Sequence, residues 1–164
     1  SPIQTFLNNP KEVSEHQYVV KYIQNILEKY SDNLYFSNQP DILELEHLYH
    51  LHTPINGTLN SDIHILELLK QLHPTPAVLG TPKIDAMHLS RSVEKYNRGW
   101  YSGSIGWFDL KGNGRFDVAI RSALQTQNSL YCFAGGGIIQ DSNANDEWNE
   151  AELKFQHLLS LINS

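Results

Sequence analysis

Cysteine is almost missing from these 164 residues. Cys132 stands alone, which excludes an intrachain disulfide and a CxxC metal site and suits a reducing compartment. Basic charge is also scarce: twelve Lys and Arg face eighteen Asp and Glu, a net of −6. That leaves no basic surface for a polynucleotide, so no nucleic-acid partner is expected. No apolar run approaches membrane-spanning length, and the N-terminus lacks a basic segment followed by an apolar one. A soluble, cytoplasmic protein with no membrane partner is the expectation. Charged residues make up only 18% against 40% apolar, which excludes a disordered tail. A chain of this length can bury about two-thirds of the surface it exposes when unfolded, so size demands neither disulfides nor metal. Methionine occurs once, as Met87, and the first residue is Ser1, which reads as a piece of a longer polypeptide.

What is present divides into helical and β-rich stretches with no repeat, linker or low-complexity tract between them. Apolar residues at Val19, Val20, Ile23, Ile26, Leu27 and Tyr30 recur at helical spacing, predicting a helix over Lys11 to Tyr30. Ser31 to Pro40 reads as turn, short strand, turn, and Ile42 to Pro54 as one or two strands followed by Asn56-Gly57. Ser61 is placed to cap a second helix that ends at His73-Pro74-Thr75-Pro76, and Thr81-Pro82 to open a third that runs to about Tyr96. Gly99 to Leu110, Arg115 to Thr126 and Ser129 to Ile139 read as a three-stranded antiparallel meander. In its middle strand Phe116, Val118 and Ile120 share one face and Arg115, Asp117, Ala119 and Arg121 the other. Ser142 to Asp146 opens a last helix ending in Leu158, Leu159, Leu161 and Ile162.

Several groups could carry chemistry. Glu147 and Glu150 lie three apart at the start of the last helix, on one face near its positive end. Two carboxylates there can hold a cation, or simply favour a helix N-terminus. Glu15 is a similar case, beside His16. Oxygen ligands select a hard cation such as Mg²⁺ over zinc. Arg121, in a strand interior, needs a partner because its charge cannot be shed. A substrate carboxylate is one choice, and a structural pair with Asp117 or another acid on the same sheet face is the other. Gly135-Gly136-Gly137 either admits close approach by an anion or marks a bend, and it is no dinucleotide fingerprint. His47, His50 and His52 invite a zinc reading, but no HExxH or CxxC accompanies them, and one buried histidine among solvated ones fits as well. Cys132, between Tyr131 and Phe133, reads as a buried structural thiol.

Taken in order, KEVSEH (11–16), HLHTP (50–54), LHPTPAVLGTPK (72–83), RGWYSGSIGW (98–107), AIRSA (119–123), AGGGI (134–138) and EWNEAELK (147–154) resemble the C-terminal part of a chorismate-binding enzyme, specifically of the isochorismate synthase type. The likeness runs through nearly the whole chain. It implies an α+β fold, antiparallel sheets with outer helices, as in the C-terminal part of the anthranilate synthase component I-like fold. Residues 1–164 would then be the C-terminal portion of a single catalytic domain. It implies Mg²⁺ held by Glu15 and Glu150, with Glu147 directly or through water, and a metal that holds the ring carboxylate of chorismate. It places Arg121 on the enolpyruvyl carboxylate, together with backbone amides around Gly135 and Gly137. Tyr101 matches the position near that carboxylate and His50 the histidine near the ring hydroxyl. Ala77 matches a position that is small in isochorismate synthases and often threonine in relatives that aminate or aromatise the ring.

The implied reaction converts chorismate to isochorismate, water adding at C2 and hydroxide leaving C4, with the product feeding menaquinone or siderophore synthesis. A salicylate or anthranilate-type synthase is the alternative, and a binding module without chemistry is a third reading. The family's general-base lysine and general-acid glutamate lie upstream of the KEVSEH segment. The expectation is therefore a fragment that is inactive alone, whose partner is the missing N-terminal part of the same polypeptide. Apolar strand surface left without that part should favour self-association.

Overall fold

The computed structural model describes residues 10–45, 48–60 and 62–162. Among them are four helices and eight strands in the order α1 (Pro10–Leu27), β1 (Ser31–Phe36), β2 (Asp41–Leu45), β3 (Leu48–His52), β4 (Ile55–Leu59), α2 (Ile65–Leu72), α3 (Lys83–Val93), β5 (Ser104–Phe108), β6 (Gly114–Val118), β7 (Ser122–Gln125), β8 (Leu130–Phe133) and α4 (Ala144–Ile162). Every paired strand is antiparallel, in the two-stranded sheets β1–β4, β2–β3, β5–β6 and β7–β8. This is the expected α+β class. The chain divides into two compact units, Ser1–Ala77 with Leu110–Asn113, and Val78–Asp109 with Gly114–Ser164.

In the first unit α1 begins at Pro10, whose fixed φ suits the first helical position. It packs on α2 and β3, and Tyr22 Oη donates to the Gln71 carbonyl at 2.9 Å. The stretch read as one or two strands is two, with His50 opposite Leu43 and His52 opposite Asp41. Asn56-Gly57 lies inside β4, paired with Tyr35 and Leu34 of β1. The cap predicted at Ser61 falls on a residue outside those described. His64 is the N-cap of α2, its imidazole Nδ1 accepting from the Leu66 amide at 3.2 Å. An sp² ring nitrogen thus does what a hydroxyl was expected to do.

In the second unit α3 starts one residue later than Thr81-Pro82 suggested. Pro82 itself is the N-cap and makes no side-chain cap hydrogen bond, because its ring carries no acceptor. The three-stranded meander is instead two hairpins, β5–β6 and β7–β8. The predicted middle strand breaks after Val118. Ile120 N–H donates to the Val118 carbonyl at 2.8 Å, a one-residue turn, and Arg121 takes φ 48°. Alternation along β6 holds, with Phe116 and Val118 half-buried and Arg115 and Asp117 exposed, and then reverses, leaving Ile120 exposed and Arg121 half-buried. A regular strand cannot make that exchange.

Helix α4 is capped by Asn143, whose Oδ1 accepts from the Asn145 amide at 2.9 Å and the Asp146 amide at 3.3 Å. It packs against β8. Among the described residues Leu158 is the one apolar side chain that is buried. Large apolar groups stand exposed on the second unit, including Trp100, Ile105, Trp107 and Trp148, and every residue of β5 is exposed on both faces. Among the described residues no helix is long and apolar enough to cross a membrane.

Candidate active site

The site residues read from the sequence fall into both units. Glu15, His50 and Ala77 belong to the first; Tyr101, Arg121, Gly135, Gly137, Glu147 and Glu150 belong to the second.

In the second unit the first turn of α4 brings two carboxylates onto one glycine. Glu147 is buried, 8% exposed, beside the positive end of the helix, and Glu150 is half-buried one turn on. A Cβ placed on Gly136 would lie 3.2 Å from Glu147 Oε2 and 3.7 Å from Glu150 Oε1. Both carboxylates therefore converge on backbone that only glycine leaves bare. Lys154, one turn further along α4, donates to Glu150 Oε1 at 2.5 Å and to the Gly135 carbonyl at 3.2 Å. It ties the acidic turn to the glycine segment.

That segment also meets Tyr101. The phenol oxygen would be 2.9 Å from a Cβ on Gly135, and the ring stacks on Phe133 of β8 with centroids 5.5 Å apart and planes 17° apart. Burial raises the Tyr101 pKa, and the positive charge of Arg98 works against that rise. Arg121 stands at the kink between β6 and β7, where burial lowers its pKa and the Glu150 carboxylate opposes the fall. Asp117, the alternative partner, is engaged elsewhere. Arg115 clasps it with Nε to Oδ2 at 3.0 Å and Nη2 to Oδ1 at 3.1 Å on the exposed face, which the kink turns Arg121 away from. Gly137 is half-buried two residues beyond Gly135, and Cys132 is a half-buried free thiol in β8.

In the first unit Glu15 is half-buried on α1, with Lys11 Nζ 3.7 Å from its Oε1. Its neighbour His16 shares a 2.8 Å hydrogen bond between Nε2 and Thr53 Oγ1, which joins α1 to the segment after β3. Burial, and then the charge of His52, lower the His16 pKa. His50 is half-buried on β3 and His52 exposed on the same strand face, while His47 lies outside the described residues. Ala77 is exposed in the loop between α2 and α3. Among the described residues no group of three or more His, Cys, Asp or Glu is gathered to hold a metal ion.

Two polar residues were missed by the sequence reading, Lys154 and Arg98. Each follows a glutamate by four positions, Glu150 and Glu94, and that spacing was the available signal.

The sequence profile described as "Chorismate binding enzyme" matches residues 2–163. The salicylate biosynthesis isochorismate synthase of Pseudomonas aeruginosa is 41% identical over 161 residues, which are 98% of this chain and 34% of that protein. A crystal structure described as a 2,3-dihydroxybenzoate-specific isochorismate synthase, DhbC, from Bacillus anthracis superposes with a TM-score of 0.91 at 37% identity, over 96% of this chain and 42% of the other. Anthranilate synthase component I from Streptococcus pneumoniae gives a TM-score of 0.87 at 28% identity, over 96% and 37%. The chain spans about a third of the length of the curated relative from Pseudomonas aeruginosa. On that match the chain belongs to the chorismate-binding enzyme family.

Proposed function

We propose that these residues form the metal- and carboxylate-binding part of an isochorismate synthase, acting within a polypeptide that also contains the residues its relatives have beyond this match. The observation that carries the reading is the joining of paired glutamates, glycine segment, tyrosine and arginine in one unit. Glu147 and Glu150 converge on Gly136, Tyr101 abuts Gly135, and Arg121 feels the charge of Glu150.

Chorismate carries two carboxylates, and a chain of net charge −6 needs a local device for each. The guanidinium of Arg121 answers one, the enolpyruvyl carboxylate, since a half-buried arginine keeps its charge and offers paired donors. The resemblance assigns backbone amides at Gly135 and Gly137 and the Tyr101 phenol to the same carboxylate, and Tyr101 does lie beside Gly135. The converging oxygens of Glu147 and Glu150 are hard donors of the kind Mg²⁺ takes, and the ion would displace the Lys154 ammonium from Glu150 Oε1. The family resemblance assigns Glu15 of the first unit to the same ion. When bound, the ion supplies positive charge that orients the ring carboxylate and stabilises charge developing beside it.

The reaction forms a C2–O bond from water and breaks the C4–O bond, so it needs a base for the water and an acid for the departing hydroxide. On the resemblance, these would be a lysine and a glutamate upstream of this segment. By the same resemblance His50 is assigned to the ring hydroxyl, and Ala77 to a position that is often threonine in aminating or aromatising relatives. The exposed strand β5 and Trp100 are then surfaces that the rest of the polypeptide covers. The product feeds menaquinone or siderophore synthesis in the cytoplasm.

The test incubates chorismate and Mg²⁺ with this chain and with a chain extended upstream, with and without ammonia, and resolves the products by chromatography. Isochorismate from the extended chain alone, unaffected by ammonia, is the expected result. An aminated or aromatic product would move the protein to the anthranilate or salicylate branch, and product from the short chain would place the acid and base within it.

A further inference from the structure

We propose that Arg98 is a positioning residue for the substrate carboxylate site, holding the turn 98–103 so that Tyr101 and the Arg121 kink are presented together. This rests on the reading of Tyr101 and Arg121 as carboxylate contacts. Arg98 lies beyond the end of α3 and only 26% of its side chain is exposed. Its guanidinium is held by acceptors from three separate segments. Nε donates to Glu94 Oε2 at 2.8 Å and Nη2 to Glu94 Oε1 at 2.5 Å, a two-pronged grip on the residue that caps the C-terminus of α3. Nη1 donates to the Val78 carbonyl at 2.6 Å and to Ser102 Oγ at 3.0 Å. A planar fork can span these acceptors at once, and a lysine ammonium cannot reproduce that geometry.

The turn so held is a constrained one. Ser102 adopts φ 61°, a region costly for a side chain bearing a Cβ and kept only where the surroundings dictate it. Here they do. Tyr101 N–H donates to the Arg98 carbonyl at 2.9 Å and Gly103 N–H to the Trp100 carbonyl at 3.0 Å. Ser102 N–H donates to the Ala119 carbonyl, and Ala119 N–H to the Gly103 carbonyl, each at 2.8 Å. The second pair fastens the turn to the segment that reverses direction at Arg121, which among the described residues is the other non-glycine one with positive φ. One fork therefore reaches the phenol stacked on Phe133 from one side of Ser102 and the Arg121 kink from the other. Arg98 has no need to touch the ligand.

Two consequences have opposite signs, which makes the role separable from that of a nearby charge. If Arg98 only lent its charge, removing it would raise the Tyr101 pKa, because that charge works against the effect of burial. If it holds the turn, removing it frees the phenol from its slot beside Gly135, and the pKa falls toward the ordinary tyrosine range. The experiment labels tyrosine with ¹³C in the 164-residue chain, assigns Tyr101 by its loss in Tyr101→Phe, and titrates Arg98→Met, Arg98→Lys and Ser102→Ala. Chorismate affinity is measured on the same proteins by calorimetry with Mg²⁺ present. Arg98→Lys keeps the charge and Ser102→Ala removes one acceptor, so the outcome does not hang on the methionine variant folding. The expected result is a lowered Tyr101 pKa in both Arg98 variants, a smaller fall in Ser102→Ala, and a Kd for chorismate raised about tenfold in the Arg98 variants. A raised Tyr101 pKa in Arg98→Met would overturn the proposal, as would a Kd that stays within about twofold while the phenol is released. Absence of chorismate binding by both the unsubstituted chain and a chain extended upstream would instead defeat the carboxylate-site reading, and the titration would still decide what Arg98 does to the turn.

Discussion

Replacing Gly135 by alanine puts a methyl group where the Tyr101 phenol stands. The new Cβ would lie 2.9 Å from Oη, whereas ordinary van der Waals contact begins at 3.4 Å, so about half an ångström must be found. The backbone of Gly135 is outside the left-handed region, and alanine meets no conformational bar there. The ring has little freedom to yield, being stacked on Phe133 at 5.5 Å. Overpacking of this kind costs about 1–3 kcal/mol. In a Tyr101→Phe background the colliding oxygen is gone, and the same alanine should be neutral or stabilise by up to about 1 kcal/mol through the unfolded chain. Urea unfolding of the four proteins of this cycle measures the coupling, expected at about 1–3 kcal/mol. Equal cost of Gly135→Ala in both backgrounds would show that phenol and glycine do not meet, and would remove Tyr101 from the site.

Other outcomes follow from neighbouring contacts. Lys154→Met removes the cation shared by Glu150 and the Gly135 carbonyl, and should destabilise by about 1 kcal/mol in the same unfolding assay, the modest figure reflecting a pair that solvent partly reaches. The hydrogen bond from Arg98 holds the Glu94 pKa below its ordinary value near 4.5, so below that pH the unfolded chain binds more protons than the native one. Stability should therefore fall as the pH drops through the ordinary glutamate range, and Glu94→Gln should flatten that part of a stability–pH curve. Arg121→Lys keeps a positive charge but loses the fork, and should weaken chorismate binding about tenfold or more by calorimetry. The exposed faces of β5 with Trp100 and Trp148 lead us to expect concentration-dependent self-association in sedimentation runs, a monomer at all concentrations being the contrary result.

The helices were legible where one local rule decided them. The run Ser142 to Asp146 marks the start of α4, and the apolar spacing from Val19 to Leu27 marks α1, which the structure begins one residue earlier than expected, at Pro10. The antiparallel pairing was legible for the same reason, but its continuity was not. Alternating residues from Arg115 through Arg121 read as one strand, and nothing in that pattern signals the one-residue turn at Ala119 that sends Arg121 inward. Capping failed where the chemistry was broader than the usual residue set, since His64 used a ring nitrogen. At the candidate site the glutamates and glycines were visible as motifs. Their meeting over Gly136, and the parts played by Lys154 and Arg98, depend on how loops close, which i,i+4 spacing hints at without placing.

The most direct test of the central claim is a calorimetric titration of chorismate into this chain with Mg²⁺, with a chelator, and in Glu150→Gln with Mg²⁺. The expected result is that Mg²⁺ strengthens binding, and that Glu150→Gln with Mg²⁺ matches the unsubstituted chain with chelator. Equal affinity under all three conditions would contradict it, because the paired carboxylates over Gly136 would then have no part in holding the substrate.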